Sequence, residues 1–383
     1  RLALLTTDLL VISTIVLLIF PVESSQRSSY YFILLVIVLG CVFMMEAQHL
    51  LLIYLAIEIV SYGSYILTNF SFKRSAHEAG IKYLLFGGVS SAVMLFGISI
   101  LYGTSGGLLV SGLSIESPYE IMGFCMFLIG VLFKISAVPM HIWVPSVYQA
   151  APVDTTAFFT VVPKLAGLVL LHNVLARVGW GSELVLVIGM VTILVGTLGA
   201  LRQTNFRRLL AYGAIAHSGF LIPLVVLDVD SSLLIWYATI YMIMNLGVFY
   251  AAKVMESNGV ESIEDYTGLG KKIPILGVGV KLILIALVGL PPTAGFTAKW
   301  FLFSALWSEY QLNSDPLILT YLLVAVFASV LALFYYLRIP YHLFLKDGSS
   351  EKGINQLSQM VLFTFGLLLL VLFFVPNLLN LLT

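Results

Sequence analysis

The sequence predicts an all-α protein that crosses a membrane many times. Of its 383 residues, 60% are hydrophobic and only 10% are charged, which lies outside the composition of water-soluble domains. Its apolar runs reach the ~20 residues that a helix needs to cross the hydrocarbon layer, whereas the alternating pattern of a membrane β-barrel is missing from the sequence. These observations indicate a polytopic helical membrane protein.

Apolar runs bounded by charge, glycine and proline divide the chain into about twelve spans, which we expect to form a single transmembrane domain over residues 1–383. The spans are predicted near residues 2–20, 30–46, 49–70, 79–102, 119–143, 155–176, 183–201, 209–227, 231–254, 273–311, 315–338 and 358–380. The tenth is too long for one straight helix, so we predict that it consists of two pieces.

Prolines are predicted to break helices inside these apolar segments. Pro139 interrupts the fifth span, and Pro163 lies in the sixth. Pro291 and Pro292 divide the tenth. A proline cannot donate the backbone hydrogen bond of a helix, so it leaves polar backbone at membrane depth. Broken helices at comparable places in two halves of a chain are typical of internally repeated transporter folds, with the functional site at the breaks.

We therefore expect two repeats of about five helices, over residues 30–176 and 183–338, followed by a C-terminal helix over residues 358–380. The loop charges orient these helices. One set of alternate loops carries twelve basic residues, namely Arg27, Lys73, Arg74, Arg202, Arg207, Arg208, Lys253, Lys271, Lys272, Arg338, Lys346 and Lys352. The opposite set carries only Arg1 and Arg177. The basic side is therefore predicted to face the cytoplasm, or the matrix of an organelle.

Five of the charged residues inside the predicted spans are candidate functional residues. Glu58 stands in LLIYLAIEIVSYGSYIL with no charge within nine residues on either side. Lys134 is ~15 residues from the start of its helix, which corresponds to a depth of ~22 Å. Lys164 and Lys299 lie beside predicted breaks, and Lys281 is less deep. Because a cation at the bilayer centre costs at least ~2.5–3.5 kcal/mol, each is a candidate functional residue.

These residue types suit proton transfer. We expect Glu58 to pair with Lys134, because burial favours a neutral amine whereas a nearby carboxylate favours the charged form. Motion of the carboxylate would then change how readily a lysine keeps its proton. Lys164 and Lys299 are predicted to be relay sites. A structural ion pair or a structural cation is the alternative for these four residues, and for Lys281 the relay and structural roles are left equally open.

His217, in the segment AYGAIAHSGF, is a candidate relay between lysines because imidazole titrates near neutral pH. The alternative is a histidine that is simply hydrogen-bonded on a helix face. Gly87 and Gly88, with Ser90 and Ser91, indicate close helix packing rather than a site. Four tryptophans near span ends are expected to anchor the chain at the membrane surface: Trp143, Trp180, Trp236 and Trp307.

The sequence predicts no metal site and no disulfide. Cys41 and Cys125 stand singly in apolar runs, and no histidines have a metal-ligand spacing such as HExxH. We therefore expect no redox chemistry on this chain.

Five segments, in order along the chain, resemble one protein family. They are YLAIEIVSY, FKISAVPMHIWVPSVYQAAP, TVVPKLAGL, RQTNFRRLLAYGAIAHSGF and LVGLPPTAGFTAKWFLF. They are similar to the antiporter-like membrane subunits of proton-pumping NADH:quinone oxidoreductase, respiratory complex I. Within this family the chain is most similar to the N-type subunits, called subunit two in mitochondria. Two features support this resemblance: the lysine at position 299, and the end of the chain soon after Pro376. One departure is Ser146, where the family has aspartate in its WxPDxY run.

The resemblance implies a fold and a set of proton-handling residues. The family core has fourteen helices that contain two inverted five-helix repeats, each with a broken helix, so the twelve predicted spans would lack the first two helices. Glu58 matches the acidic residue on the fifth family helix, and Lys134 matches its partner on the first broken helix. Lys164 matches the central lysine on the next helix. Lys299 matches the exit-side residue on the second broken helix.

The resemblance also implies partners and cofactors. Proton translocation would be driven by quinone reduction elsewhere in a complex that uses FMN, iron–sulfur clusters, NADH and a quinone, with no cofactor on this chain. Expected partners are the small K-type and the M-type membrane-arm subunits together with lipids, and no nucleic acid. The expected location is the bacterial plasma membrane, or else the mitochondrial inner membrane. The alternatives are a sodium/proton antiporter subunit of the related multi-subunit type and a structural subunit that conducts nothing.

Overall fold

The computed structural model describes residues 11, 14, 27–227, 229–347 and 354–376. The predicted all-α class is confirmed. In the described ranges the extended pairing is limited to two isolated β-bridges. The contacts between residues divide the chain into two compact units.

The first unit comprises the described residues up to 192, together with 225–227. Its helices are α1 (Arg27–Glu46), α2 (Leu50–Thr68), α3 (Arg74–Ser105), α4 (Pro118–Lys134), α5 (Val144–Ala150), α6 (Val153–Val178) and the first part of α7 (Ser182–Leu201). Helix α6 is the most enclosed, because most of its side chains are buried.

The second unit comprises residues 193–224 and the described residues from 229 onward. Besides the second part of α7, its helices are α8 (Phe206–Val226, up to residue 224), α9 (Ser231–Ser257), α10 (Leu269–Lys272), α11 (Pro274–Val288), α12 (Ala294–Asn313), α13 (Pro316–Phe344) and α14 (Gln356–Phe374). Helices α8 and α9 are the most enclosed of this unit.

The predicted spans from residue 30 onward correspond to helices. The fifth is split into α4 and α5 and the tenth into α11 and α12, as predicted from Pro139, Pro291 and Pro292. The first span, at 2–20, and the end of the last, at 377–380, lie outside the described residues, except for residues 11 and 14. The single-domain description and the two sequence repeats stay predictions.

Pro163 does not break a helix, so that prediction is wrong. Helix α6 continues through it from Val153 to Val178. A proline removes one backbone hydrogen bond, but the bonds on either side can persist, and neighbouring helices tolerate such a defect within a membrane. The interruption therefore removes a single backbone donor and does not end the helix.

Two of the four tryptophans predicted to be surface anchors are buried. Trp143 stacks on Tyr83 with their ring centroids 4.1 Å apart, and Trp236 is enclosed within the second unit. The position of an aromatic residue near a span end indicates its depth but not the direction in which it faces. Packing against neighbouring helices decides that direction.

Helices α3 and α4 approach so closely that glycine is required between them. A Cβ atom on Gly97 would lie 2.5 Å from the carbonyl oxygen of Gly123 and 2.7 Å from the backbone nitrogen of Phe127. Small residues at such contacts let the backbones of membrane helices pack directly together. This contact holds α4, and with it Lys134, against α3.

Candidate functional site

The first broken helix ends at Lys134. Its last turn closes with a hydrogen bond from the Ala137 N–H to the Leu132 carbonyl (3.0 Å) and another from the Ser136 N–H to the Phe133 carbonyl (3.3 Å). Ser136 has a φ of 61°, the left-handed conformation that glycine usually supplies at this position. The pattern ends the helix at the lysine. The Lys134 side chain is 4% exposed, and its ammonium has no hydrogen-bond partner among the described residues.

A side chain from α7 supports the segment after this break. The Val138 N–H donates to Thr192 Oγ1 (3.0 Å), and the same hydroxyl donates to the Ile188 carbonyl (2.7 Å). Thr192 thus satisfies a backbone donor that the interrupted helix leaves without an intrahelical acceptor. Nothing in the sequence points to this residue, since threonine within an apolar helix usually bonds only to its own backbone.

Lys164 is fully buried on α6. A Cβ atom on Gly167 of that helix would lie 2.7 Å from an Ile135 methyl carbon and 3.4 Å from Lys134 Cβ. Gly167 therefore packs against the end of α4. Lys164 lies three residues earlier on the same face, about 4.5 Å along the helix axis. The structure thus brings the two predicted lysines onto neighbouring, directly packed helices within the first unit.

Glu58 does not form the predicted direct ion pair with Lys134. Its carboxylate accepts a hydrogen bond from the Ser91 hydroxyl on α3, and the Lys134 ammonium has no hydrogen-bond partner among the described residues. The reason is packing, because α3 contacts both α2, which carries Glu58, and α4. The preceding residue, Ser90, donates its hydroxyl to the Ile129 carbonyl of α4 (3.2 Å). Helix α3 therefore connects the carboxylate to the helix that carries the lysine.

Ser91 is a candidate functional residue that sequence reasoning missed, because Ser90 and Ser91 were interpreted as packing residues. That interpretation fits Gly87, where a Cβ atom would collide with the Tyr65 hydroxyl. One signal in the sequence could have indicated it. Ser90 and Ser91 lie about one helical turn after Gly87 and Gly88, and the preceding span carries the carboxylate of Glu58. Glu58 itself is half-buried and lies among exposed apolar side chains of α2.

The second broken helix carries Lys299, which is 4% exposed. Its ammonium donates to the Val288 carbonyl (2.8 Å) and approaches the Leu287 carbonyl (3.4 Å), the last two carbonyls of α11. Gly289 follows them with a φ of 85°, and a Cβ atom there would lie 2.7 Å from Lys299 Cδ. The carbonyl end of a helix attracts a cation. The break therefore provides this ammonium with acceptors inside the apolar unit.

His217 lies close to Lys299 through a shared aromatic ring. The Lys299 ammonium is 4.8 Å from the centroid of the Phe220 ring, and the His217 ring is 5.9 Å from that centroid. His217 Nδ1 is 3.2 Å from the Tyr237 hydroxyl on α9. Tyr321 of α13 donates its hydroxyl to the Gly219 carbonyl of α8 (2.6 Å). The Tyr237 hydroxyl thus lies within hydrogen-bond distance of the predicted relay histidine, and no motif in the sequence points to this tyrosine or to Tyr321.

Lys281 differs from the three deep lysines. It lies on an exposed face of α11, so it has no enclosed environment within the second unit. Among the described residues, no group of three or more His, Cys, Asp or Glu side chains could hold a metal ion.

Comparisons with known proteins identify the family. A family model described as NADH:quinone oxidoreductase/Mrp antiporter, TM, matches residues 47–334. The chain belongs to this family. A relative named NADH-quinone oxidoreductase subunit N 2, from Chloroherpeton thalassium, is 34% identical over 363 residues, which cover 88% of this chain and 70% of the relative. Subunit N of Chlorobium chlorochromatii is 34% identical over 366 residues, with the same coverage of both chains.

Solved structures give the same assignment. A chain of respiratory complex I from Thermus thermophilus with bound aureothin has a TM-score of 0.83 and 27% identity, covering 98% of this chain and 84% of that one. A chain of the Mrp complex from Dietzia sp. has the same TM-score with 20% identity, covering 99% of this chain and 80% of its own length, and so supports the fold alone. The predicted family, its N-type branch, the antiporter-like fold and the function as a subunit of a NADH:quinone oxidoreductase translocase are confirmed.

Proposed function

We propose that this family member translocates protons through Glu58, Lys134, Lys164 and Lys299, with His217 as a relay in the second unit. The observation that carries the proposal is the burial of three lysines within apolar helices, two of them at helix breaks and all at most 4% exposed. A charge at the bilayer centre costs at least ~2.5–3.5 kcal/mol. A purely structural lysine could be replaced by an apolar residue without that cost.

The two units supply different surroundings for their ammonium groups. Lys299 has carbonyl acceptors and an aromatic face, which favour its charged form. Lys134 has no hydrogen-bond partner among the described residues, so its charged form depends on charges beyond hydrogen-bond distance, and Glu58 is the proposed source. Displacement of the Glu58 carboxylate would therefore change how readily Lys134 holds a proton. Serine and tyrosine hydroxyls beside these residues can pass protons between them.

The same lysines explain why the route is a relay and not an open pore. Moving one charge against 100 mV costs about 2.3 kcal/mol, so a continuous water-filled path would let protons return. Buried amines accept and release protons one after another. At no step is there a continuous path for protons from one side of the membrane to the other.

The helix breaks support assembly with other subunits. Pro139, Pro291 and Pro292 are exposed on this chain, although irregular backbone at membrane depth is tolerated only when protein or a water-filled cavity covers it. The proposed setting is a bacterial plasma membrane, where K-type and M-type subunits adjoin this chain and FMN, iron–sulfur clusters, NADH and a quinone act on other subunits of the complex.

The test uses Lys164→Met and Lys164→Arg in the assembled complex. Methionine keeps most of the apolar stem without a titrating group, and arginine keeps the charge but cannot be deprotonated in a protein. Both variants are expected to reduce NADH-driven proton uptake into sealed membrane vesicles by at least about tenfold, since each removes a proton-accepting amine. The amount of assembled complex is measured in the same membranes.

A matched control is Lys82→Met, which removes an exposed lysine paired with Glu78 at 2.6 Å. That variant should pump like the parent. Normal proton uptake by Lys164→Arg, together with failure of Lys164→Met, would show that Lys164 is a structural cation and would overturn its role as a relay.

A further inference from the structure

A surface groove between α11 and α13 lies outside the proposed proton route. Its volume is about 380 Å³, and it is lined by Lys281, Leu337, Pro340, Tyr341, Phe344 and Leu345. Five of these six residues are apolar or aromatic. The groove therefore suits a hydrocarbon chain, with one cation on its wall.

Lys281 is the only charged side chain among these lining residues. It lies seven residues after Pro274, the first residue of α11, and thus about 10 Å along the helix. Its ammonium is 5.8 Å from the centroid of the Phe344 ring. At that depth a lysine can extend its charge toward the membrane surface. Among the residues that the structure describes, no acidic side chain pairs with it.

A second cation lies beyond the end of α13. Lys346 is exposed, and its ammonium is 5.8 Å from the centroid of the Tyr341 ring, a ring that lines the groove. His342 Nε2 is 3.4 Å from the same ammonium. The adjoining acid, Asp347, accepts a hydrogen bond from Lys271 at 2.5 Å. This contact holds the pKa of Asp347 below its usual range. The charged carboxylate of Asp347 therefore pairs with Lys271 and not with Lys346.

The backbone places these basic groups at one end of the groove. The Gly268 N–H donates to the His342 carbonyl (3.0 Å), which joins the segment before α10 to the end of α13. Lys271 and Lys272, in the last turn of α10, are on the side of the chain that loop charges predict to be cytoplasmic. The mouth of the groove thus has an excess of positive charge at the level of lipid headgroups.

We propose that this groove binds one anionic phospholipid, with its headgroup phosphate at Lys281 and Lys346 and an acyl chain along the wall formed by α13. Basic pockets between membrane helices select anionic headgroups, and the apolar wall excludes a soluble anion. The proposal assigns Lys281 to lipid binding, a role apart from the relay and structural roles that the sequence leaves open, and it does not depend on proton translocation.

The experiment is a lipid titration of the purified, delipidated full-length chain, followed by native mass spectrometry. Phosphatidylglycerol is compared with phosphatidylcholine, which has the same phosphate but no net charge. The parent chain should retain one phosphatidylglycerol at least about tenfold more tightly than phosphatidylcholine. Lys281→Gln and Lys346→Gln should each weaken phosphatidylglycerol binding about fivefold, the effect of one charge near a membrane surface.

Three further variants make the result specific. Lys281→Arg should bind phosphatidylglycerol like the parent, which separates loss of charge from loss of folding. Leu337→Trp should block the groove without a change of charge, and Lys82→Gln, on an exposed lysine elsewhere, should have no effect. Equal binding of the two lipids, or equal behaviour of Lys281→Gln and Lys82→Gln, would overturn the proposal. A photo-crosslinker at position 337 that labels a neighbouring subunit instead of lipid in the assembled complex would overturn it as well.

Discussion

Lys299→Met is expected to abolish proton uptake while the complex remains assembled. The parent ammonium donates to the Val288 carbonyl at 2.8 Å and lies 4.8 Å from the Phe220 ring centroid. A charged hydrogen bond of this kind contributes about 1.5–3 kcal/mol. A desolvated cation–π contact contributes about 2 kcal/mol. The methionine variant loses both, and it leaves the carbonyls at the end of α11 without this donor.

The opposing term is the desolvation of the ammonium, which costs several kcal/mol in a protein interior and disappears in the methionine variant. The contacts that the methionine variant loses and the desolvation cost that it avoids are of similar size. The free energy of unfolding should therefore change by no more than about 2 kcal/mol in either direction. Loss of activity with an intact complex would then reflect lost proton transfer. Lys299→Arg should fail too, because arginine does not release its proton.

The assay is NADH-driven proton uptake into sealed vesicles, normalised to the amount of assembled complex. Leu306→Met, a buried and nearly volume-conserving change on the same helix, serves as the matched control and should pump normally. Proton uptake by Lys299→Met at the rate of the parent would refute the reasoning, since the amine would then be dispensable.

Two further predictions concern residues that support the site in the first unit. Ser91→Ala should lower proton uptake several-fold, because the Glu58 carboxylate loses the hydroxyl that holds it against α3. Glu58→Gln should lower it further while leaving assembly intact. Uptake in Ser91→Ala equal to that of the parent would show that this hydrogen bond is incidental. Thr192→Val should leave the Val138 N–H without its acceptor at a cost of about 1–3 kcal/mol, reducing the thermal stability of the complex, whereas Thr192→Ser should restore it. The measurement is the temperature at which the complex loses activity, and equal temperatures for the valine and serine variants would contradict the prediction.

The breaks and the helices could be predicted because their causes are local in sequence. Pro139, Pro291 and Pro292 interrupt helices by removing backbone donors, and the lengths of apolar runs follow from the thickness of a bilayer. The depth of a lysine is also local, since each residue advances a helix by a fixed rise. For these reasons the sequence predicts the depth of the three buried lysines without any knowledge of their surroundings.

The directions in which side chains face could not be predicted. A membrane helix is apolar on all sides, so hydrophobic periodicity does not show which side meets a neighbour. Trp143 was expected at the membrane surface and is buried, whereas Lys281, left open by the sequence, lies on an exposed face. Pro163 was expected to break a helix that continues through it, because neighbouring helices can support such a defect.

The sequence alone thus determined that this chain is a polytopic helical protein with two broken helices and with lysines deep inside its spans. Only the tertiary structure decided what each charged group meets. In the structure, the Glu58 carboxylate accepts a hydrogen bond from Ser91 and not from Lys134. The Lys299 ammonium donates to the Val288 carbonyl and lies against the Phe220 ring. The physical reason is that hydropathy and helix breaks depend on neighbours along the chain, whereas the partner of a buried charge depends on which helices pack together.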